Sequence, residues 1–576
     1  MNWIEKFKWI FHILRWRLSW SRRDLDYRPP GSDPDKFLSA REAAALINDH
    51  AVVFSSGIAG NARCSVFFYA LRDRFRQTGH PRGLTWINAG AQGSRGRVPG
   101  TVEEIGLPGL MSAYLTGHLE TAKAQLKLGA KGDLELYTLP QGIISLLLEA
   151  QGRGERDLLS DVALKTFMDP SCGTGAAVNY TAGQQFVRRE GENLRYTMPQ
   201  PEVALISAPY ADEFGNIYFK NASTITENLP SVRSVRRHGG RVMVAVSEII
   251  PADPQNISIP KGWVDYIVVN PYNEQTISVP QKRYWRIFTP EGRPDVHRAV
   301  DRLKFINTFL KITPVRTPVG QMIARLASSI FARVVPKGGM INIGVGFPEE
   351  VARIIVEHGR EEDYIFTTEA GSYGGLPAPG IFFGAAIHPQ HLESSSRMFE
   401  RYHDHLDMAV LGFLQVDSDG NVNVSQRGEQ VTDYVGPGGF PDIVHGAKHI
   451  IFIGNWMHPC GFVLKDGQVV MTGKGKPKFV DHVREVTFNG QRALAMGKEV
   501  YYVTDVGYFK LTDHGLQLVA CFPGIRIQED ILDVSRARIY IPPGRKIPVI
   551  DPKITSGVGF EPSIPPFRLD SVLPLA

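Results

Sequence analysis

Glu369 closes the run DYIFTTE (363–369) and is followed at once by a loop of glycines and prolines, AGSYGGLPAPG (370–380). Gly371, Gly374, Gly375 and Gly380 allow backbone to approach a ligand, while Pro377 and Pro379 stiffen the loop and hold the carboxylate in place. Ligands of open α/β sheets bind outside the carboxyl ends of the strands, which is where Glu369 falls. A carboxylate there can act in catalysis or cap a turn, and spacing alone leaves both open. Two other segments offer groups suited to carbonyl chemistry. In YVGPGGFPDIV (434–444), the N–H groups of Gly438 and Gly439 could donate to a developing oxyanion, or form an ordinary turn. In LYTLPQGIISLLL (136–148), Gln141 heads an apolar helix, where its amide could position a carbonyl or carboxylate, or cap the helix.

Fainter signals surround these. The glycine-rich turns GIAG (57–60) and GVG (344–346) and the loop GAQGSRG (90–96) could approach a pyrophosphate, but none completes a GxGxxG or Walker pattern. HPQH (388–391) and HDHLD (403–407) have spacings that can bind a metal or lie on a solvated surface. Cys64, Cys172, Cys460 and Cys521 include no CxxC pair, so no zinc site is expected, and scattered thiols fit a reducing compartment.

The elements that must position these groups come in two similar sets. AREAAALI (40–47) reads as a helix, AVVFSSG (51–57) as a buried strand ending in a glycine turn, and NARCSVFFYALRDRF (61–75) as the next helix. The same succession recurs in GQMIARLASSIFARV (320–334), GGMINIGVG (338–346) and FPEEVARIIVEHG (347–359). Further strands are expected at 202–208, 241–250 and 265–269 in the first half, and at 363–369, 407–416 and 449–454 in the second. This pattern predicts an α/β fold of two related open α/β domains. The expected boundaries are an N-terminal extension and linker over 1–34, a first domain over 35–280, an irregular connection over 281–312 and a second domain over 313–545. A Pro-rich extended tail covers 546–576.

The formal charge of +5 over 576 residues is too small to indicate a nucleic-acid protein, and it is compatible with an anionic ligand. No apolar run is long enough to cross a membrane. Residues 2–23 are unusual, however: Ile4, Phe7, Phe11, Leu14 and Leu18 recur at helical spacing, extended by Trp9, Ile13, Trp16 and Trp20 and interspersed with six basic residues. Such a helix is expected either to dock on protein or to make peripheral contact with a membrane surface.

Taken together, the segments resemble the family I coenzyme A transferases, in particular the single-chain type that includes the acetate and propionate CoA transferases. The similarity runs over about residues 38–540. It is carried in order by LPQG (139–142), DEFGNIYF (212–219), INIGVGFPEEVA (341–352), EAGSYGGLPAPG (369–380), FFGAAIHP (382–389), DGNVNVS (419–425) and GPGGFPDI (436–443). The resemblance implies two CoA transferase-like domains of the NagB/RpiA type and exchange of CoA between short- to medium-chain carboxylic acids. It implies Glu369 as covalent nucleophile, Gln141 placing the acyl carbonyl and Gly438 or Gly439 as oxyanion donor. It further implies contacts with CoA from Gly344, Val345, Gly346, Gly374, Gly375 and Asn423. The expectation that follows is coenzyme A as substrate, with no permanent cofactor and no metal, in a cytoplasmic homodimer or homotetramer that binds no nucleic acid.

Four departures stand out: Ala370 after the nucleophile, His403-Asp404-His405 where relatives carry glycines, FFGAAIHP (382–389) where relatives have F-G-A-S-x-N, and the Trp-rich N-terminus. They keep two rival readings open, an acyl-CoA hydrolase on the same scaffold and a non-catalytic, membrane-associated CoA-binding protein.

Overall fold

The apolar runs of the first half are short, β-branched and buried on both sides, which suits the centre of a parallel sheet covered by helices. In the computed structural model, which describes residues 2–94, 98–293, 295–312, 315–459 and 461–572, they form one such sheet. Its strands run in the order Phe37–Leu38, Tyr266–Val269, Arg241–Ile250, Val203–Asp212, Val52–Ser55, Leu84–Asn88, Met111–Thr116 and Glu135–Thr138, all parallel. Ile217–Tyr218 adds a short antiparallel strand. Alternating residues supply opposite faces: Val53, Trp86 and Tyr114 enter one buried cluster, whereas Phe54, Ile87 and Leu115 enter another.

The second half builds a sheet around Met340–Ile343, which lies between Ile365–Thr368 and Leu406–Leu411, both parallel to it. Ala447–Ile453 and Glu499–Val503 continue in parallel, and Gly507–Thr512 and Gly515–Cys521 follow as antiparallel strands. The two halves share a small device. Asp212 and Asp417 each open a D-x-x-G-N turn. Asp212 Oδ1 accepts from the backbone N–H groups of Phe214 and Asn216 (3.0 and 2.9 Å), and Asp417 Oδ1 from those of Asp419 and Asn421 (3.1 and 3.0 Å). Gly215 (φ 91°) and Gly420 (φ 74°) take the left-handed position in each turn.

Three expectations are corrected. The segment 281–312 is not irregular throughout, since Val296–Phe309 is a helix: Asp295 caps it by accepting from the Arg298 N–H (3.0 Å), and Ala299, Leu303 and Ile306 bury one face. The helix expected from residue 61 begins at Ser65, because Ala62 takes the left-handed backbone conformation (φ 49°), which a right-handed helix cannot include. The strand expected over 407–416 breaks after Leu411, and Gln415–Val416 pairs instead with Val422–Asn423. In the Pro-rich tail, Pro548–Ile550 and Phe567–Val572 join the second sheet, separated by the helix Pro552–Ser556.

Helix Trp3–Ser19 docks on its own chain. Ile13 and Trp16 are buried, and the Arg302 guanidinium is clamped between the rings of Trp9 (3.7 Å) and Trp285 (3.4 Å). Burial between the rings pulls the Arg302 pKa down to about 9. The Glu5 carboxylate pairs with Arg298. Among the described residues no helix is long and apolar enough to cross a membrane.

Candidate active site

Glu369 stands where the two halves touch: the segment after Val52–Ser55 reaches the loop beyond Glu369 through the Asn61 amide, which donates to the Phe383 carbonyl (2.7 Å). Strand Ile365–Thr368 delivers it, and Thr367 is tied back to the neighbouring strand through its Oγ1, which donates to the Ile341 carbonyl (2.8 Å). Gly371 (φ 102°) then turns the chain: its N–H donates to the Thr368 carbonyl (3.0 Å), and its own carbonyl accepts from Glu393 (2.8 Å). A Cβ at Gly371 would collide with the Glu393 carbonyl oxygen, so glycine is required. From the first half, the Thr226 N–H donates to the Ala370 carbonyl (3.3 Å), which clasps the nucleophile loop across the two sheets. Ala370 is fully buried against Gly384, in space that Asn61 and Ile58 also border.

Glu369 keeps 9% of its exposure. Burial raises its pKa, opposed by its own backbone N–H and by the Asn342 side-chain amide. Asn342 Nδ2 also donates to the Tyr402 hydroxyl (3.1 Å), which donates to Thr367 Oγ1 (3.0 Å). Asn342 and Tyr402 are therefore site residues that sequence reasoning missed. Asn342 is the second residue of the quoted motif INIGVGFPEEVA, which was the available signal; Tyr402 directly precedes the departing His403-Asp404-His405 and gave none.

A second buried carboxylate, also missed, comes from the first half. Glu227 Oε1 accepts from Ser145 Oγ (3.3 Å), and Oε2 has no partner. Burial lifts its pKa to about 7, partly opposed by the nearby hydroxyls of Ser395 and Ser145 and the Gly57 backbone. Ser145 lies one helical turn after Gln141 on Gln141–Arg153. The Gln141 N–H donates to the Gly438 carbonyl (2.9 Å), while its buried side-chain Nε2 has no hydrogen-bond partner among the described residues. The next residue, Gly142, donates to Asp442 Oδ2 (2.9 Å), so the start of this helix is locked to the segment 436–442.

Two expected roles are corrected by hydrogen bonding. The Gly438 N–H donates to the Gly117 carbonyl (2.7 Å) and is not free for an oxyanion. The Gly439 N–H makes no hydrogen bond among the described residues and heads helix Phe440–Gly446. Asn423 is fully buried: its Nδ2 donates to Gln415 Oε1 (2.9 Å) and the Gln426 carbonyl (2.8 Å), and its Oδ1 accepts from Ser425 and Gln426 (3.1 and 3.0 Å). It staples a turn and has nothing left for CoA. Gly344, Val345 and Gly346 form a half-buried turn at the end of Met340–Ile343, beside the strand of Glu369. There the Glu349 carboxylate, raised in pKa by burial, accepts from Gly346 (3.1 Å) and Gly380 (3.4 Å). Gly374 and Gly375 have their own packing reason: a Cβ would press on Gln390 and on the carbonyls of Ile387 and His388 respectively.

Three histidines of HPQH (388–391) and HDHLD (403–407) face carboxylates of the same chain. His403 Nε2 lies 3.4 Å from Asp442 and His405 Nε2 3.0 Å from Asp407, while His391 faces Glu393 at 3.7 Å. His403 thus lies beside Asp442, the carboxylate that accepts from Gly142. Cys64 and Cys521 are buried and Cys172 is exposed, whereas Cys460 and residues 95–97 lie outside the described residues. Two large cavities, of about 740 and 710 Å³, lie elsewhere, one beside Tyr434 and Glu485 and one alongside the second half of the N-terminal helix; Glu369 lines neither.

Comparison with known proteins fits this geometry. The chain is 32% identical over 515 residues to the caffeate CoA-transferase of Acetobacterium woodii, covering 86% of this chain and 93% of that one. It is 29% identical over 525 residues to the acetate CoA-transferase YdiF of Escherichia coli K12, covering 88% and 93%. The acyl-CoA transferase YdiF of E. coli O157:H7 superimposes with a TM-score of 0.78 as apoenzyme, at 27% identity over 92% of this chain and 98% of that one. Its thioester complex with CoA superimposes with a TM-score of 0.79. The α subunit of a citrate lyase from Streptococcus mutans shares the fold at 15% identity (TM-score 0.52, covering 92% of each chain). Residues 194–280 match the family model described as malonate decarboxylase, alpha subunit, transporter. Both curated relatives are named as transferases, which gives the hydrolase and non-catalytic readings no support.

Proposed function

The chain belongs to the CoA transferase family, and from that premise we propose that it moves CoA between carboxylic acids by covalent catalysis at Glu369. The ionised Glu369 oxygen attacks the thioester carbonyl carbon of a bound acyl-CoA. The carbon–sulfur bond breaks, leaving an acyl-glutamyl anhydride and CoA thiolate. The thiolate attacks the glutamyl carbonyl and the acyl group departs as a free carboxylate, so that CoA is held as a glutamyl thioester. A second acid reverses both steps and leaves carrying CoA. One thioester is exchanged for another, so the balance needs no ATP. The Gln141 amide orients the acyl carbonyl, and the Gly439 N–H donates to the oxyanion. The half-buried turn 344–346 and the loop around Gly374 and Gly375 carry the candidate contacts to CoA.

The observation that supports this reading is the placement of Glu369: a carboxylate at a strand's carboxyl end, nearly sealed from water, with an amide donor to its ionised form. Partial desolvation makes a carboxylate a better nucleophile, and the Asn342 donor keeps enough of it ionised to react. The substrates we assign are short- to medium-chain carboxylic acids and their CoA esters. The enzyme is assigned to the cytoplasm as a homodimer or homotetramer, with residues 2–23 as a candidate contact with a membrane surface.

Trapping tests the mechanism. Enzyme mixed with acyl-CoA and reduced with borohydride should carry a modification at Glu369 by mass spectrometry, and Glu369→Ala should lose exchange by at least 10³-fold. An unmodified Glu369 together with undiminished exchange in Glu369→Ala would overturn it.

A further inference from the structure

Helix Trp3–Ser19 carries two apolar stripes on opposite faces, and only one of them is covered. Trp9, Ile13, Trp16 and Trp20 pack inward on the protein. The other stripe faces solvent: Trp3 is 78% exposed, Ile4 72%, Phe7 62%, Phe11 61%, Leu14 52% and Leu18 84%. Six of the eighteen large apolar side chains exposed among the described residues therefore lie on this helix. They follow i, i+3, i+4 spacing, so at 1.5 Å per residue they form a continuous ridge roughly 25 Å long. An apolar patch of this kind on a soluble surface marks a contact surface.

The charges beside the ridge indicate what it contacts. Lys8 and Arg15 border it on one side and Lys6 and Arg17 on the other, and all four are exposed. Glu5 is the one acid among residues 2–23, and Arg298 neutralises it. Arg22 and Arg23 extend the positive rim beyond the helix, and Arg283 of the connecting segment lines with them the cavity of about 710 Å³ that Phe11, Leu14 and Leu18 border. Apolar side chains flanked by lysines and arginines that form no ion pair among the described residues match a layer whose interior is hydrocarbon and whose surface is anionic. A second copy of the chain would bring the same positive rim against itself.

We propose that this outer stripe seats the enzyme on anionic lipid bilayers, with the helix lying in the interface while its inner face stays docked on the protein. The clamp of Arg302 between Trp9 and Trp285 fixes the helix, so the bilayer would meet a rigid ridge already presented. The helix need not leave the protein to bind, and the ordering cost of binding is correspondingly small.

Flotation of the full-length chain with vesicles tests this. Wild-type protein should float with phosphatidylcholine vesicles containing a quarter phosphatidylglycerol, and at least tenfold less with phosphatidylcholine alone or with the anionic vesicles in 0.5 M NaCl. The double substitution Phe11→Ser, Leu14→Ser should lower flotation at least tenfold while leaving CoA exchange and the melting temperature unchanged, because both side chains face water. Lys8→Glu with Arg15→Glu should lower it similarly without removing any apolar group. Equal flotation of wild type and the serine variant, or no flotation of the wild type, would overturn the proposal. So would a drop in subunit number in the serine variant by light scattering, which would give the stripe to a second copy instead.

Discussion

Asn342 and Tyr402 are joined by a hydrogen bond of 3.1 Å from the Asn342 amide to the phenol oxygen, and the same amide supports the ionised form of Glu369. A donor to a carboxylate lowers its pKa, so removing it leaves desolvation unopposed. Asn342→Ala should therefore raise the Glu369 pKa further. The acidic limb of the kcat/KM profile should move to higher pH, and activity at pH 7 should fall about tenfold or more. Tyr402→Phe should shift the limb in the same direction by less, since Asn342 is then only misaligned. A pH profile that moves in neither variant would remove both residues from the site.

Glu227 makes stability depend on pH. Its folded pKa of about 7 lies above the ordinary 4.5, so between those values the folded chain holds the proton more tightly than the unfolded chain. Its contribution to stability is therefore fully present below about 4.5 and is lost as pH rises through about 7. Glu227→Gln cannot ionise and should flatten that decline, gaining about 2–3 kcal/mol over wild type at pH 8 relative to pH 4. Urea unfolding at the two pH values measures the difference. An unchanged slope would place the titration elsewhere.

Gln141→Ala separates catalysis from folding. The Gln141 side-chain Nε2 is buried without a partner, so truncation breaks no hydrogen bond at that atom and should change stability by no more than about 1 kcal/mol. If that amide orients the acyl carbonyl, kcat should drop about 10–10²-fold with KM for CoA little altered.

Gly371→Ala should do the opposite, damaging the fold first. At φ 102° a Cβ is strained and meets the Glu393 carbonyl, which implies a loss of about 2–4 kcal/mol. Thermal melting should show it, along with loss of exchange, because the turn that holds Glu369 must open.

Much of the fold was legible in the sequence because buried parallel strands write themselves as short β-branched runs ending in glycine, as at 51–57 and 338–346. The nucleophile segment was legible through its glycines, one of which, Gly371, has a geometric reason to be there. The helix Val296–Phe309 was hidden because it buries only a narrow face, and basic residues fill the rest of its turns. Glu227, Tyr402 and Asn342 could not be grouped with Glu369 from spacing, since their meeting depends on strand order and on contacts between distant segments. Gly438 and Gly439 look alike in sequence, and only the hydrogen bond to Gly117 tells them apart. Asn423 looked like an available amide because its four internal bonds are invisible in one dimension.

The bond from Thr226 to Ala370 has a consequence for how the molecule could be divided. It joins a loop encoded early in the chain to the residue right after the nucleophile, and the buried carboxylate of Glu227 sits on the early side. Cut anywhere in the linking stretch, neither fragment would carry a complete reaction centre. Co-expressed pieces would regain turnover only as they found each other, and their rate would rise with the product of their concentrations until pairing saturated.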